Sequence, residues 1–306
     1  MHKQRIFVTG ATGYIGSAVA ARIARAGYEV HGLTRSPDRA RALETAGVNP
    51  VLGNLADPAE WIGVLQNCDS VVHAAFDGET GGAEQDHNAL EAFRVSALDG
   101  RVRRLLYTSG IGVHGRSGDT VADESTPLRP LEVARWRVAN EEIALDLSAH
   151  EVATIVLRPG MVYGEGRGIL GGWFAEAHDR KTVTYPGDGS QHWPMVHRDD
   201  LADAYVLALE HAGAGERFLL ADDSRPTVKQ MAEAAAAASG ATARPWPAED
   251  VVKQLGLQGK ALLNDLQVTA AKAHRELGWV PRHTSFVSEA SQLWREWQDA
   301  REATVP

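Results

Sequence analysis

Along the first half of this chain, short apolar runs alternate with stretches whose apolar residues recur at three- and four-residue spacing, and glycine or proline punctuates the joins. The runs at 6–8, 29–34, 49–52, 68–75 and 103–110 predict five strands. The periodic stretches predict helices over 17–26, stopped by Gly27, over 37–46, and over 83–98 after a polar loop at 77–82. Asp57 followed by Pro58 predicts a further helix start, with Asp57 as its N-cap. In the second half the pattern predicts helices over 169–180, 201–210 (an Asp as N-cap), 227–239, 249–255 and 286–300, with 218–220 a strand returning to the sheet. Pro245-Trp246-Pro247 is expected to be a linker, and Trp294 and Trp297, three apart, a packing pair. Strands alternating with helices imply an α/β fold: a doubly wound parallel sheet of the Rossmann type over 1–160, and a smaller C-terminal α/β substrate-binding region over 161–306.

Composition narrows the partners. The chain has 306 residues, 44% of them hydrophobic, enough for a large core. Its formal net charge of −9 argues against nucleic acid or an anionic membrane as the main partner. The single cysteine, Cys68, makes no internal disulfide, so a reducing cytoplasm is the expected location. Residues 1–5 lead directly into a strand, and neither a signal peptide nor a membrane helix is predicted.

The chemistry starts at Gly10, Gly13 and Gly16, which follow the first strand and open the first helix. Gly10 allows the bend, Gly13 lets a pyrophosphate approach the backbone, and Gly16 lets the helix pack on the strand. The first-turn amides around Thr12, Tyr14 and Ile15 then face an anion. The same spacing also serves a purely structural strand-to-helix turn. At the end of the second strand, where an acid would hold a ribose 2′-hydroxyl, stand Thr34, Arg35 and Ser36. A guanidinium there suits the 2′-phosphate of NADP, unless it is simply an arginine on a solvated loop. Asn54 can bond the adenine edge, Leu55 adjoins it, and the small Ala74 and Ala75 let the cofactor lie against the backbone. His73 reads as a packed histidine.

The segments Thr9-Gly10-Ala11-Thr12-Gly13-Tyr14-Ile15-Gly16, Val71-Val72-His73-Ala74-Ala75, Leu106-Tyr107-Thr108-Ser109-Gly110 and Leu157-Arg158-Pro159-Gly160-Met161-Val162-Tyr163-Gly164 resemble the successive fingerprints of the extended short-chain dehydrogenase/reductase superfamily. Gly187-Asp188-Gly189 with Val196-His197-Arg198-Asp199-Asp200, and Leu277-Gly278-Trp279-Val280-Pro281, continue the resemblance towards the C-terminus. It implies that Thr108, Pro159 and Val162 also face the cofactor, and that Gly110, Tyr163 and Trp193 face the substrate.

The catalytic positions depart from that pattern. The superfamily's Tyr-x-x-x-Lys falls on Val133 and Arg137, and its catalytic hydroxyl on Gly110, next to Ser109. The chain is thus similar to an atypical branch lacking Tyr-x-x-x-Lys, in which Arg137 is expected to hold ribose hydroxyls. A proton donor must come from elsewhere, with Ser109 and His114 the first candidates and His192 and His197 flanking the expected substrate loop. Each histidine also has a structural reading, and His197 to Asp200 is expected to fix a loop. Trp193 stands where nucleotide-sugar epimerases tend to carry an Arg. This argues for an apolar or aromatic substrate, or for a Trp packed in the interdomain core. No metal-ligand spacing is visible and no metal is expected. The reading is an NADPH-dependent oxidoreductase reducing a carbonyl or imine of a mainly apolar small molecule. A non-redox NADP-binding sensor or scaffold, a lyase or isomerase in the same cleft, and a homodimer stay open.

Overall fold

A computed structural model describes residues 3–76 and 81–302; of the polar loop expected at 77–82, residues 77–80 lie outside the described residues. The first half runs β1 (Arg5–Thr9), α1 (Tyr14–Arg25), β2 (Glu29–Thr34), α2 (Pro37–Thr45), β3 (Asn49–Leu52), α3 (Ile62–Leu65), β4 (Ser70–His73), α4 (Gly82–Asp99), β5 (Arg104–Thr108), α5 (Arg135–Asp146) and β6 (Ala153–Pro159). The remainder runs β7 (Met161–Tyr163), α6 (Gly168–Arg180), β8 (Thr182–Pro186), β9 (Met195–His197), α7 (Arg198–His211), β10 (Arg217–Leu220), α8 (Val228–Ser239), β11 (Thr242–Trp246), α9 (Ala248–Leu262), α10 (Ala271–Leu277) and α11 (Phe286–Glu302). Among the described residues no helix is long and apolar enough to cross a membrane.

Seven strands form one parallel sheet in the order β3-β2-β1-β4-β5-β6-β10. Its inner strands β1, β4, β5 and β6 carry unbroken apolar runs because both faces are covered. Ile6 and Val8 of β1 point into a core shared with α1, α7 and α10, while Phe7 between them points into a second core with Trp61 and α4. The same alternation places Val72 and Leu106 in the first core, and Val71, Leu105 and Tyr107 in the second. A third core, built from α6, β8, α8 and α11 around Trp173, Phe174 and Phe286, forms the cap. The strand expected at 218–220 returns to the sheet beside β6.

Three expectations need correction. Pro245 and Trp246 are not a linker. They belong to β11, which pairs parallel with β8 in a two-stranded sheet where an edge strand tolerates the missing proline N–H. Helix α7 starts at Arg198 and is capped by His197, whose Nδ1 accepts from Asp199 N at 3.2 Å. Neither Asp is the cap: Asp199 and Asp200 both lie in the first turn, and Asp200 accepts from His283 N at 2.8 Å. Helix α9 runs on to Leu262 through a break at Gly256, whose φ of 56° is open to glycine. Elsewhere the local chemistry is as read: Asp57 Oδ1 accepts from Ala59 N at 3.2 Å, and Trp294 stacks on Trp297 at 5.1 Å.

Candidate functional site

The sheet order creates the site. β1 pairs with β2 on one side and β4 on the other, so the connections leaving their carboxyl ends part and open a crevice there. Thr9 is in register with His73, which brings Gly10 beside Ala74. A Cβ on Gly10 would lie 2.6 Å from Ala74 O, and the residue's φ is +67°. A Cβ on Gly16 would overlap Gly10 O, so this glycine is what seats α1 on the turn. Gly13 is different: it is the N-cap of α1, and an added Cβ would meet only Gly10 O, at 3.1 Å. Its outer side is open to the groove.

That groove, about 410 Å³, is lined by Gly10, Thr12, Gly13, Tyr14 and Ile15 from the turn, Leu33, Thr34, Arg35 and Arg39 from the β2–α2 join, Gly53, Asn54 and Leu55 after β3, and Ala74, Ala75 and Phe76 after β4, with Gln85 from α4. Ten of the residues expected at the dinucleotide therefore come together from four separate segments. No carboxylate lines the groove among the described residues. Arg39, which sequence reasoning passed over, adds a second guanidinium one helical turn from Arg35; its signal was the spacing Arg35-Ser36-Pro37-Asp38-Arg39. Ser36 is turned to another task, its Oγ accepting from Arg39 N at 3.4 Å as the cap of α2. Asn54 Oδ1 is committed to Ala56 N at 3.1 Å, leaving its amide N–H to donate outward.

Several expected contacts face elsewhere. Thr108 turns its hydroxyl to Tyr205 at 2.6 Å, and its carbonyl accepts from Arg137 Nη1 at 3.2 Å. Pro159 ends β6, and Val162 packs on the first core; neither lines the groove. The Arg137 guanidinium stands 4.4 Å from the Trp136 ring centroid and 4.9 Å from that of Phe76, a groove residue, which holds it at the groove's end. Ser109, the next residue after Thr108, has a buried Oγ with no hydrogen-bond partner among the described residues. At Gly110 an added Cβ would meet nothing within 4 Å.

His114 is not at the groove. It lies buried on the Glu141–Arg158 pair, its Nε2 accepting from Arg158 Nη1 at 3.2 Å, and burial together with that guanidinium pushes it down to about 4. An imidazole neutral at pH 7 with a cation on one nitrogen is a poor proton donor, so the expectation of a catalytic His114 is corrected to a member of this buried cluster. His192 is held by Asp265 through both its backbone N and its Nδ1. Tyr163, expected to face a substrate, is fully buried with its ring against His197 and Phe286. Trp193 packs on Trp173 in the third core and donates its indole N–H to Leu262 O at 3.1 Å.

Two further clusters are only visible in three dimensions. His73, read as packed, bridges Thr9 Oγ1 at 2.7 Å and Asp86 Oδ1 at 2.9 Å, and Tyr107 and Asn140 donate to the other Asp86 oxygen. Burial raises the Asp86 carboxyl, yet His73 and these donors outweigh it, so the group stays below its ordinary range. His197, Asp200 and His283 bring ligating atoms within 4.8 Å of one another. The two imidazoles stack face to face at 3.6 Å and Arg282 Nε sits 3.5 Å from Asp200 Oδ1, an arrangement that already supplies the carboxylate with a cation.

Comparisons with known proteins agree with this geometry. The chain is 30% identical over 294 residues to an uncharacterized protein of Schizosaccharomyces pombe, covering 93% of this chain and 97% of the other. It is 26% identical over 228 residues to a 4-hydroxy-2-methyl-3-oxo-4-farnesyl-3,4-dihydroquinoline-1-oxide ketoreductase of Stigmatella aurantiaca, covering 71% of this chain and 68% of that one. A double mutant of dTDP-glucose 4,6-dehydratase from Streptomyces venezuelae, solved with NAD bound, superposes with a TM-score of 0.83 over 98% of both chains at 22% identity, a likeness of fold. The model of the NAD-dependent epimerase/dehydratase family matches residues 6–221. With its parallel sheet, its glycine turn and that match, the chain belongs to the NAD-dependent epimerase/dehydratase family within the extended short-chain dehydrogenase/reductase superfamily.

Proposed function

We propose that this family member is an NADPH-dependent reductase of a carbonyl or imine on a mainly apolar small molecule. The observation that carries the reading is the groove itself: a glycine turn that a Cβ would fill, ending between Arg35 and Arg39 with no carboxylate opposite. Gly10, Gly13 and the first-turn amides of α1 hold the pyrophosphate, Arg35 and Arg39 the 2′-phosphate, and the Asn54 amide an acceptor on adenine. A reduced nicotinamide supplies the hydride when bound.

The chain's own residues must do the rest. Arg137, fixed by its two aromatic neighbours and Thr108 O, donates to ribose hydroxyls and stabilises developing negative charge without releasing a proton. Ser109, next in the chain to Gly110, offers a buried, unpartnered hydroxyl that donates a hydrogen bond to the substrate oxygen and relays to it a proton from water that enters with the substrate. General-acid help of this kind is worth roughly 10²- to 10⁴-fold in rate, so a relay without a strong acid predicts a slow enzyme.

The test is loss of reduced-nicotinamide absorbance when protein and NADPH are mixed with a panel of apolar ketones, aldehydes and imines. Turnover above the rate without protein supports the reading, and tight NADPH binding with no turnover across the panel overturns it. A second reading, a non-redox NADP-binding protein, rests on one observation: among the described residues no histidine, cysteine or carboxylate lines the groove. Burial pushes even the Tyr14 hydroxyl above its ordinary value.

A further inference from the structure

The cap holds a cavity of about 450 Å³ that the glycine turn does not line. Indoles dominate its walls: Trp173 from α6, Trp193 before β9 and Trp246 from the end of β11, with Ile169, Pro186 and Leu262 among them. Trp173 and Trp193 lie 6.0 Å apart with their planes at 22°. The polar groups of the walls are largely spent on the protein. Trp193 Nε1 donates to Leu262 O, and the Glu176 carboxylate accepts both Thr184 N, at 2.8 Å, and Thr184 Oγ1. Arg180, at the last turn of α6, stands exposed on the rim next to Asp179, whose carboxyl it helps to lower.

The cavity adjoins the dinucleotide groove. Helix α6 begins at Gly168, where a Cβ would sit 3.4 Å from the Tyr14 ring, and Tyr14 lines the groove and donates to Gly164 O at 2.8 Å. The next residue along, Ile169, is already in the cavity wall. A pocket of this size with apolar walls and a charge at its mouth has the form of a small-molecule site.

We propose that this cavity binds a flat aromatic ring system carrying a carboxylate, the non-reacting end of the substrate. Ring faces and edges of three indoles offer an aromatic guest contacts beyond area burial that an alkyl chain lacks. Thr184 ties the Glu176 carboxylate to the wall, and Arg180, the one Lys or Arg in the described lining, is the group an anionic substituent can meet at the rim. The word substrate rests on the reductase reading; the ligand class rests on the walls alone.

Calorimetric titration of the cofactor-free protein with 2-naphthoate, 2-naphthalenemethanol and decanoate tests the assignment. The expected result is 2-naphthoate binding at least tenfold more tightly than decanoate, and Arg180→Ala bringing 2-naphthoate down to the level of the neutral alcohol. Gly172→Leu is the blocking variant: the residue lies in the wall on a helix, and nothing stands within 4 Å of an added Cβ, so the side chain fills the cavity rather than the core. It should lose tenfold or more in 2-naphthoate affinity with an unchanged circular-dichroism spectrum. Should that variant fail to fold, Ile169→Asp, at a position already 37% exposed, places a repelling charge in the same wall with the same expected loss. Decanoate equal to 2-naphthoate, or full 2-naphthoate affinity in a folded Gly172→Leu protein, overturns the proposal. Because the titration needs no turnover, an enzyme inert towards every carbonyl that still binds 2-naphthoate defeats only the reductase reading. Carbonyl turnover indifferent to Gly172→Leu defeats only this one.

Discussion

Arg35 at the exit of β2 and Arg39 in the first turn of α2 are four residues apart, so both reach the same end of the groove. If they hold a 2′-phosphate, Arg35→Asp or Arg39→Asp removes a charge-assisted hydrogen bond and adds repulsion. Each should weaken NADPH by about 1.5–3 kcal/mol, roughly ten- to a hundredfold, while leaving NADH within a few-fold. Fluorescence titration of the two reduced cofactors measures this, and equal losses for both would remove the argument. His114 makes a different prediction. Burial and the neighbouring Arg158 guanidinium lower it from the usual 6.5 to about 4, so between those values the unfolded chain binds more protons than the folded one. Stability contributed by the neutral imidazole is complete above pH 6.5 and falls as pH drops towards 4, by up to about 3 kcal/mol. Asp222 opposes it: burial raises that carboxyl from 3.8 to about 6, so its buried charge destabilises the fold above pH 6 and the penalty fades as the pH falls. Urea unfolding of Asp222→Asn should therefore show a steeper loss of stability between pH 6 and 4 than the parent, and adding His114→Gln should flatten it again.

Among the elements, the β1 turn was legible because three independent constraints coincide in eleven residues: a strand buried on both faces, a glycine at positive φ, and a helix seated through Gly16. The pattern in the strands β2, β4, β5 and β6 has the same origin, since each contributes residues to both cores. What stayed hidden depends on partners distant in sequence. β11 exists only because β8 lies beside it, and nothing in Pro245-Trp246-Pro247 announces that pairing. Nor does the sequence at 197–200 say that Asp200 will be claimed by the backbone of His283, leaving His197 to cap α7. Tyr163 was absorbed into the cap core by the aromatic packing of α6 and α11, and local pattern does not report who packs on whom. The glycines separate a structural from a ligand-facing role. Gly16→Ala forces a methyl against Gly10 O and should cost about 1–3 kcal/mol in stability along with cofactor affinity. At Gly13, where φ is −77° and the outer side is open, alanine should leave the thermal midpoint within a few degrees and cut NADPH affinity alone. Thermal melts paired with cofactor titrations would distinguish them, and the same profile for both variants would contradict the assignment.

At the scale of the whole molecule, the segments after residue 160 that were expected to return to the sheet share its core with the first half. The core that contains Ile6, Val8, Val19 and Ile23 also contains Leu201, Tyr205, Phe218, Ala273 and Trp279, so residues from both halves bury the same face of the sheet. Arg198 ties the start of α7 to the turn itself, donating to Tyr14 O at 2.7 Å and Ser17 Oγ at 2.8 Å, and the Tyr14 hydroxyl reaches the loop before α6. A dinucleotide that orders the first turn of α1 thereby acts on the segment leading into the cap. Calorimetric unfolding of the free protein should then give one cooperative transition, not a melting cap followed by a melting sheet. Saturation with NADPH at a hundred times its dissociation constant should add about 2.7 kcal/mol and move that whole transition upward by several degrees. NADH at the same concentration should move it less, because the guanidinium pair finds no 2′-phosphate. Arg198→Ala should lower the midpoint of the free protein and, by loosening the link between α1 and α7, allow the cap to separate as an earlier, cofactor-insensitive transition. A native protein that already melts in two steps, only one of them shifted by NADPH, would mean that the cap folds independently of the shared core.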